Sequence, residues 1–457
     1  MKKWNFPLVF FLVFCFHEYQ YGQESQLLGY PDPDVRFKTD ILLIVAHPDD
    51  ETAVGGYLAK AIYDDKKRVG IVYLNHGSGG GNTFGSEQAG SLAAIREVEA
   101  RKATASFGID LVWFLDGVDT PSQDLFASLN NWGHGKILED VVRIIRLTRP
   151  EIIITWLPHY VSGENHGDHQ ASGVITIEAF DLAGDPTVFP TQITPPREPM
   201  DINNVTEGLQ PWQTKKLYFF SDASHTLNAD GPPFDIRDIS PSQNVPYYML
   251  AAKLHLPHRT QGEVSNVSAE AIETGDFDSF LRWMSTYCLI FGKSVVPCNP
   301  KGDVFEGIDR MPSPYVPIYG FRDYKRKGVS LELGGVFAFY REFWKAHEIE
   351  HIGLLVDPEV RISYDSYFHV PLLLRNNTSD SVSVRLNAES TPGWREVAGT
   401  AMYRLAPGST VPVQTFFFAP DQSFGSEHTL VWRATMEDVT IGSVIFKVSL
   451  TEWTLPQ

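Results

Sequence analysis

The chain has 457 residues, 43% hydrophobic and 12% aromatic, the composition of a soluble globular protein with room for two or three domains. Its formal charge of -18 argues against nucleic acid or any other large polyanion as a partner and leaves neutral or cationic substrates. The chain opens MKKWNFPLVFFLVFC, with Lys2 and Lys3 ahead of an apolar run from Phe6 to Phe16. That run is too short for a membrane span, and no comparable run follows it. It reads as a signal peptide over residues 1–22, with a buried N-terminal helix as the alternative. Phe14, before Cys15, is too large for a lipoprotein cleavage site. The expectation is therefore a secreted or periplasmic protein with no stable membrane span. Cys288 and Cys298 then remain, either as one local disulfide or as two unpaired buried thiols.

Five aliphatic runs follow in chain order: DILLIVA (40–46), RVGIVYLN (68–75), DLVWFLD (110–116), EIIITWL (151–157) and KKLYFF (215–220). The near-continuous apolar character of the first, second and fourth predicts strands covered on both faces, as in a parallel sheet. Between the runs, residues 55–63, 89–107, 136–147 and 171–182 have helical spacing. The alternation predicts an α/β fold, a largely parallel sheet with helices on both faces. Ligands of such sheets sit beyond the carboxyl ends of the strands. HPDDE, NHGSGGGN, DGVD and PHYVSGENHGDH follow strands one to four, so four loops should converge on one rim.

Residues 183–214 are rich in Pro, Asn, Asp and Gly and read as a long loop; 263–289 returns to helical spacing, and 310–321 is extended and proline-rich. From residue 352 the pattern changes to short alternating strands with turn residues about every ten positions, the mark of an antiparallel β-sandwich. The expected division is 1–22, 23–347 and 348–457. The last part, with NNTSD and a later PGW, resembles the immunoglobulin-like accessory modules of secreted carbohydrate enzymes. It reads as a spacer or docking module without catalytic residues.

The stretch IVAHPDDE (44–51) crowds acidic groups behind a buried strand. As a plain helix start, Asp49 or Asp50 would cap and Glu51 would favour the positive helix end. That leaves His47 without a role. A second cluster, ENHGDHQ (164–170), places His166, Asp168 and His169 at the head of an apolar helix. One carboxylate and two histidines from separate loops make a site for a divalent cation of zinc type, with water as a further ligand. A cation also relieves the repulsion between crowded aspartates.

AHPDDE followed later by HGDH resembles the LmbE-like (PIG-L-like) family of N-acetylglucosaminyl-phosphatidylinositol de-N-acetylases and bacterial thiol-sugar deacetylases. The resemblance extends over 40–345, through AIREVEARKATASFG, LDGVD, AFDLAGDPTVFP, KKLYFF and HRTQ. It implies a Rossmann-like fold and zinc-dependent removal of the N-acetyl group from an amino sugar or glycan, with ferrous iron tolerated by the same donors. Carried over to this sequence, it puts His47, Asp50 and His169 on the metal. Asp49 becomes the general base, His166 faces the developing oxyanion, and Asp168 orients or charges His166.

The resemblance also places Arg96, Asp116, Asp119 and His258 near substrate. Read alone, Arg96 would pair with Glu99 on its own helix, and His258 would be a surface loop histidine. GSGGGN lacks the Gly-Lys-Ser/Thr of a P-loop, and Asn75 and His76 replace the family's usual hydroxyl residue. Trp132, Trp156 and Tyr160 are candidates to stack on a sugar, with core packing the alternative for Trp156. Competing readings are hydrolysis of another N-acyl amide and a catalytically silent glycan-binding protein.

Overall fold

The computed structural model describes residues 34–160, 166–193, 209–221, 227–284, 288–309, 328–355, 359–364, 366–421 and 427–451. The expected signal peptide, Glu164 and the proline-rich stretch 310–321 lie outside the described residues.

Strands β1 (Ile41–Val45), β2 (Val69–Asn75), β3 (Leu111–Gly117), β4 (Ile152–Trp156), β5 (Lys216–Phe220) and β6 (Ile290–Ser294) form one sheet in the order β3-β2-β1-β4-β5-β6. The first five are parallel and are the five predicted runs; β6 joins antiparallel at the edge beside β5. Every residue of β1, β2, β4 and β5 is buried, as their apolar content requires. Side chains alternate between the two faces. Leu42 and Ile44 enter one hydrophobic core, whereas Ile41, Leu43 and Val45 enter the other.

Helices α1 (Gly55–Ala59), α2 (Gly90–Ser106), α3 (Leu125–Trp132), α4 (His134–Thr148) and α5 (Gly167–Leu182) cover those faces. The apolar spacing of α4 buries Ile137, Val141, Val142 and Ile145. Helix α5 starts four residues ahead of the predicted 171, with His166 as its cap, so HGDH forms its first turn. Two glycines let α5 lie close to its neighbours. A Cβ on Gly167 would sit 2.7 Å from Asp124 O, and one on Gly173 would sit 2.5 Å from Trp156 O. Helices α6 (Tyr247–His255), α7 (Gly262–Thr274) and α8 (Asp278–Met284) follow, the last two separated at Gly275 with φ 74°.

A β-sandwich completes the chain. One sheet has the order β12-β10-β14-β15-β8 and the other β11-β13-β9-β7. Its strands are β7 (Val329–Leu333), β8 (Glu359–Ser363), β9 (Tyr367–Asn376), β10 (Val382–Ser390), β11 (Arg395–Ala398), β12 (Met402–Leu405), β13 (Thr410–Phe418), β14 (Glu427–Met436) and β15 (Val439–Thr451). All pairings are antiparallel except β15 with β8. Trp432, Phe417 and Phe446 fill the space between the sheets.

The two parts interleave where the sequence draws a boundary at 347. Strand β7 precedes that point yet pairs with β9, and helix α9 (Gly335–Ala346) after it returns to the α/β core through Tyr340 and Phe343. Among the described residues, no helix is long and apolar enough to cross a membrane. Cys288 and Cys298 are both free thiols, the first exposed and the second half-buried.

Candidate metal centre

The carboxyl ends of β1 to β4 and the first turn of α5 meet at one rim. Asp50 is the best-held group there. Its Oδ2 accepts three hydrogen bonds, from the backbone N–H of Ala46 and His47 at 2.9 Å each and from Trp156 Nε1 at 2.7 Å. Its Oδ1 is thereby turned toward two imidazoles, 3.3 Å from His169 Nε2 and 3.8 Å from His47 Nδ1. The indole of Trp156 also stacks on the His169 ring, with centroids 3.8 Å apart and planes 10° from parallel. One tryptophan at the end of β4 therefore orients an acid from the turn after β1 and a histidine from the first turn of α5.

His166 stands beside them. Ring nitrogens of His47, His166 and His169 lie within 4.8 Å of one another. The backbone N–H of Asp168 donates to His166 Nδ1 at 3.3 Å, which leaves the proton of the neutral ring on Nε2. Burial and the neighbouring histidines hold the pKa of His166 well below its ordinary range. The Asp168 carboxylate takes a different direction from the one expected. Its Oδ2 accepts from Thr120 N at 2.9 Å and Asn75 Nδ2 at 3.2 Å and lies 3.4 Å from His47 Nε2. In the first turn of α5 its side chain leans back over the sheet, so it faces His47, and its link to His166 runs through the backbone.

Asp49 occupies a strained backbone position of the rim. Its φ of 111° lies in the left-handed region, which L-residues adopt only when their surroundings force it. Burial and the adjacent Asp50 charge raise its carboxyl to about 7. Asp50 is driven the other way: His169 and His47 hold it well below the usual carboxylate range against the cost of burial.

The donor set fits a divalent cation of zinc type. Imidazole nitrogens converge on a carboxylate oxygen whose partner oxygen is already saturated. Asp168 Oδ1 is buried without a hydrogen-bond donor, and Asp119 adds a further acid 3.5 Å from His47 Nε2. His47, Asp119 and Asp168 also bring their ligand atoms within 4.8 Å of one another. Buried negative charge at this density calls for positive charge.

Residues 42–180, which carry this whole constellation, match the family model described as PIG-L: GlcNAc-PI de-N-acetylase. Residues 42–180 are a PIG-L family domain. The chain is 26% identical over 227 residues to the 1D-myo-inositol 2-acetamido-2-deoxy-alpha-D-glucopyranoside deacetylase of Thermobifida fusca, covering 44% of this chain and 72% of that protein. It is 30% identical over 192 residues to the diacetylchitobiose deacetylase of Thermococcus kodakarensis, covering 41% of this chain and 64% of that protein. Among solved structures, the N,N'-diacetylchitobiose deacetylase from Pyrococcus horikoshii aligns over 56% of this chain and 87% of its own, at 19% identity and a TM-score of 0.38.

Within the PIG-L domain the expected substrate residues separate. Asp119 reaches the rim and accepts from Gly79 N at 2.6 Å. Asp116 does not: it is exposed on β3, 3.6 Å from Lys136, because the pleat turns it outward before the strand ends. Arg96 is buried and leaves Glu99 to Thr260. Its guanidinium donates to Gly77 O at 2.8 Å, Gly81 O at 2.9 Å and Gln261 Oε1 at 3.0 Å, so it braces the glycine-rich loop after β2. His258, from beyond the matched region, is fully buried, 2.6 Å from Glu51 Oε1. Trp132 is a core residue donating to Val118 O, and Tyr160 is half-buried with its ring edge-on to Phe337. Two residues shape the PIG-L site in roles that the sequence did not signal: Glu51, which binds His258 and the Asp49 amide, and Trp156, which donates to Asp50. Glu51 was visible only as an acid favouring the positive end of a helix, and nothing local to Trp156 signals a partner in another loop.

Proposed function

We propose that the chain is a metal-dependent N-deacetylase acting on an N-acetylated amino sugar, free or within a glycan. The observation that carries this reading is the Asp50 carboxylate, fixed by three donors with its second oxygen set between His169 and His47, one residue from Asp49. His47, Asp50 and His169 would hold the cation, zinc or ferrous iron. When bound, such a cation supplies Lewis-acid chemistry, polarising a carbonyl and making water more acidic.

The protein groups then divide the proton traffic. Asp49 accepts the proton of the attacking water and delivers it to the amine nitrogen as the carbon–nitrogen bond breaks, so acetate and a free amine leave. His166, with its proton on Nε2, donates a hydrogen bond to the acetyl oxygen as negative charge builds there. Asp168 steadies His47 from its other ring nitrogen. Asp119 borders the same rim, and its proximity to His47 supports a place for it near the bound sugar. Export through the 1–22 stretch belongs to this proposal and directs it toward extracellular carbohydrate.

The test is acetate release from N-acetylglucosamine and its β-linked oligomers by the purified protein. Release is expected with zinc present, is lost on chelation and returns when the metal is restored. Metal-loaded protein that frees no acetate across a panel of N-acetyl sugars would overturn the assignment.

A further inference from the structure

The turn that carries Asp49 is held from behind by one short segment far along the chain. His255 Nε2 lies 3.3 Å from Thr52 O, His258 Nε2 lies 2.6 Å from Glu51 Oε1, and Gln261 Nε2 donates to Pro48 O at 3.1 Å. His258 stands 207 residues after Glu51. The second oxygen of Glu51, Oε2, accepts from the backbone N–H of Asp49 at 3.0 Å. Glu51 therefore spends one oxygen on His258 and the other on the amide two residues before it. Both side chains are fully buried.

Stability alone does not account for this pair. Burying an acid and an imidazole costs desolvation that an apolar pair of the same volume avoids. What an apolar pair lacks is a fixed acceptor for the Asp49 N–H. That acceptor matters because Asp49 sits at φ 111°, where a residue with a Cβ persists only if neighbouring contacts over-determine it. Glu51 ties the amide directly, Gln261 ties the preceding carbonyl, and His255 reaches the Thr52 carbonyl beyond.

We propose that Glu51 and His258 are positioning residues that lock the backbone of Asp49, and with it the direction of its carboxylate, without touching substrate. The inference rests on the reading of Asp49 as the base. It gives His258 a place behind the site in exchange for the substrate contact expected from the sequence.

Three substitutions test it. Glu51→Leu removes the acceptor. Glu51→Asp keeps the charge but draws both carboxylate oxygens back by one methylene, away from the Asp49 amide. Glu51→Gln keeps a carbonyl at the same reach, with His258 accepting from the amide. In folded protein of unaltered metal content, the Leu and Asp variants are expected to lose about 100-fold in kcat with KM unchanged, the cost of a small misplacement of a reacting group. The Gln variant restores kcat. Hydrogen exchange at the Asp49 amide accelerates in the Leu and Asp variants, while the Ala46 and His47 amides, bound by Asp50, stay protected. If Glu51→Leu does not fold, Glu51→Asp carries the test. A kcat near that of the unmodified protein in folded Glu51→Asp, or an Asp49 amide as protected as before, overturns the proposal. Should the unmodified protein release no acetate, the functional reading fails, and amide exchange alone decides the clamp.

Discussion

Asp49→Asn is expected to lower turnover by about 10²–10⁴-fold, the range for loss of a positioned proton acceptor, while the protein keeps its full complement of metal. The substitution is close to isosteric and removes the negative charge and the capacity to take up a proton. Asparagine also tolerates the left-handed backbone better than most residues, so φ 111° does not work against it. The bond to Glu51 uses the main-chain N–H of residue 49 and survives the change. The carboxylate oxygen set between His169 Nε2 and His47 Nδ1 is Oδ1 of Asp50, not an oxygen of Asp49. Acetate release and metal analysis on the same preparation check both halves. Unchanged turnover removes Asp49 as the base, and lost metal makes it a ligand.

His169→Ala produces the opposite pattern: metal and turnover disappear together. Its Nε2 is 3.3 Å from Asp50 Oδ1, and its ring is held flat against Trp156. Catalytic zinc sites use three protein ligands, and removing one of the two histidines leaves an acid and a single imidazole. Loss of the ring also strips Trp156 of its stacking partner at the point where it donates to Asp50. Metal content should fall to background after dialysis and acetate release to the uncatalysed level, with the α/β core intact by circular dichroism. A variant that retains stoichiometric metal would place the ligand set elsewhere, with His47, Asp119 and Asp168 the alternative grouping.

The sheet was legible because its strands are buried on both faces. Four of the five predicted strands have no exposed residue, and such strands must be apolar almost without a break. Strand β6 was not legible: Ile290–Ser294 is a half-exposed edge strand that carries Gly292 and Lys293. Strand β7 was missed for a different reason. It is five residues long and sits directly ahead of α9, and its partner β9 lies beyond that helix, so tertiary pairing decides its fate. The start of α5 was set four residues late because its first turn is polar, and a polar first turn resembles a loop until its caps are seen.

The site followed a similar division. His47, Asp49, Asp50, His166 and His169 fall in two local motifs, and residue type with spacing was enough to mark them as candidates. The contacts that aim them are non-local. Trp156 reaches Asp50 across 106 residues and His258 reaches Glu51 across 207. No periodicity encodes such pairings. Asp116 and Asp119 show the same limit at short range. The motif offered both, but the end of β3 lies between them: the pleat sends Asp116 to solvent, and the loop after the strand brings Asp119 to the rim.

The most direct test of the account is anomalous diffraction at the zinc edge from crystals of the zinc-loaded protein. It predicts one peak per chain, in contact with the imidazoles of His47 and His169 and the carboxylate of Asp50. A peak held by Asp119 and Asp168 without Asp50 and His169, or no peak at this rim, would contradict it.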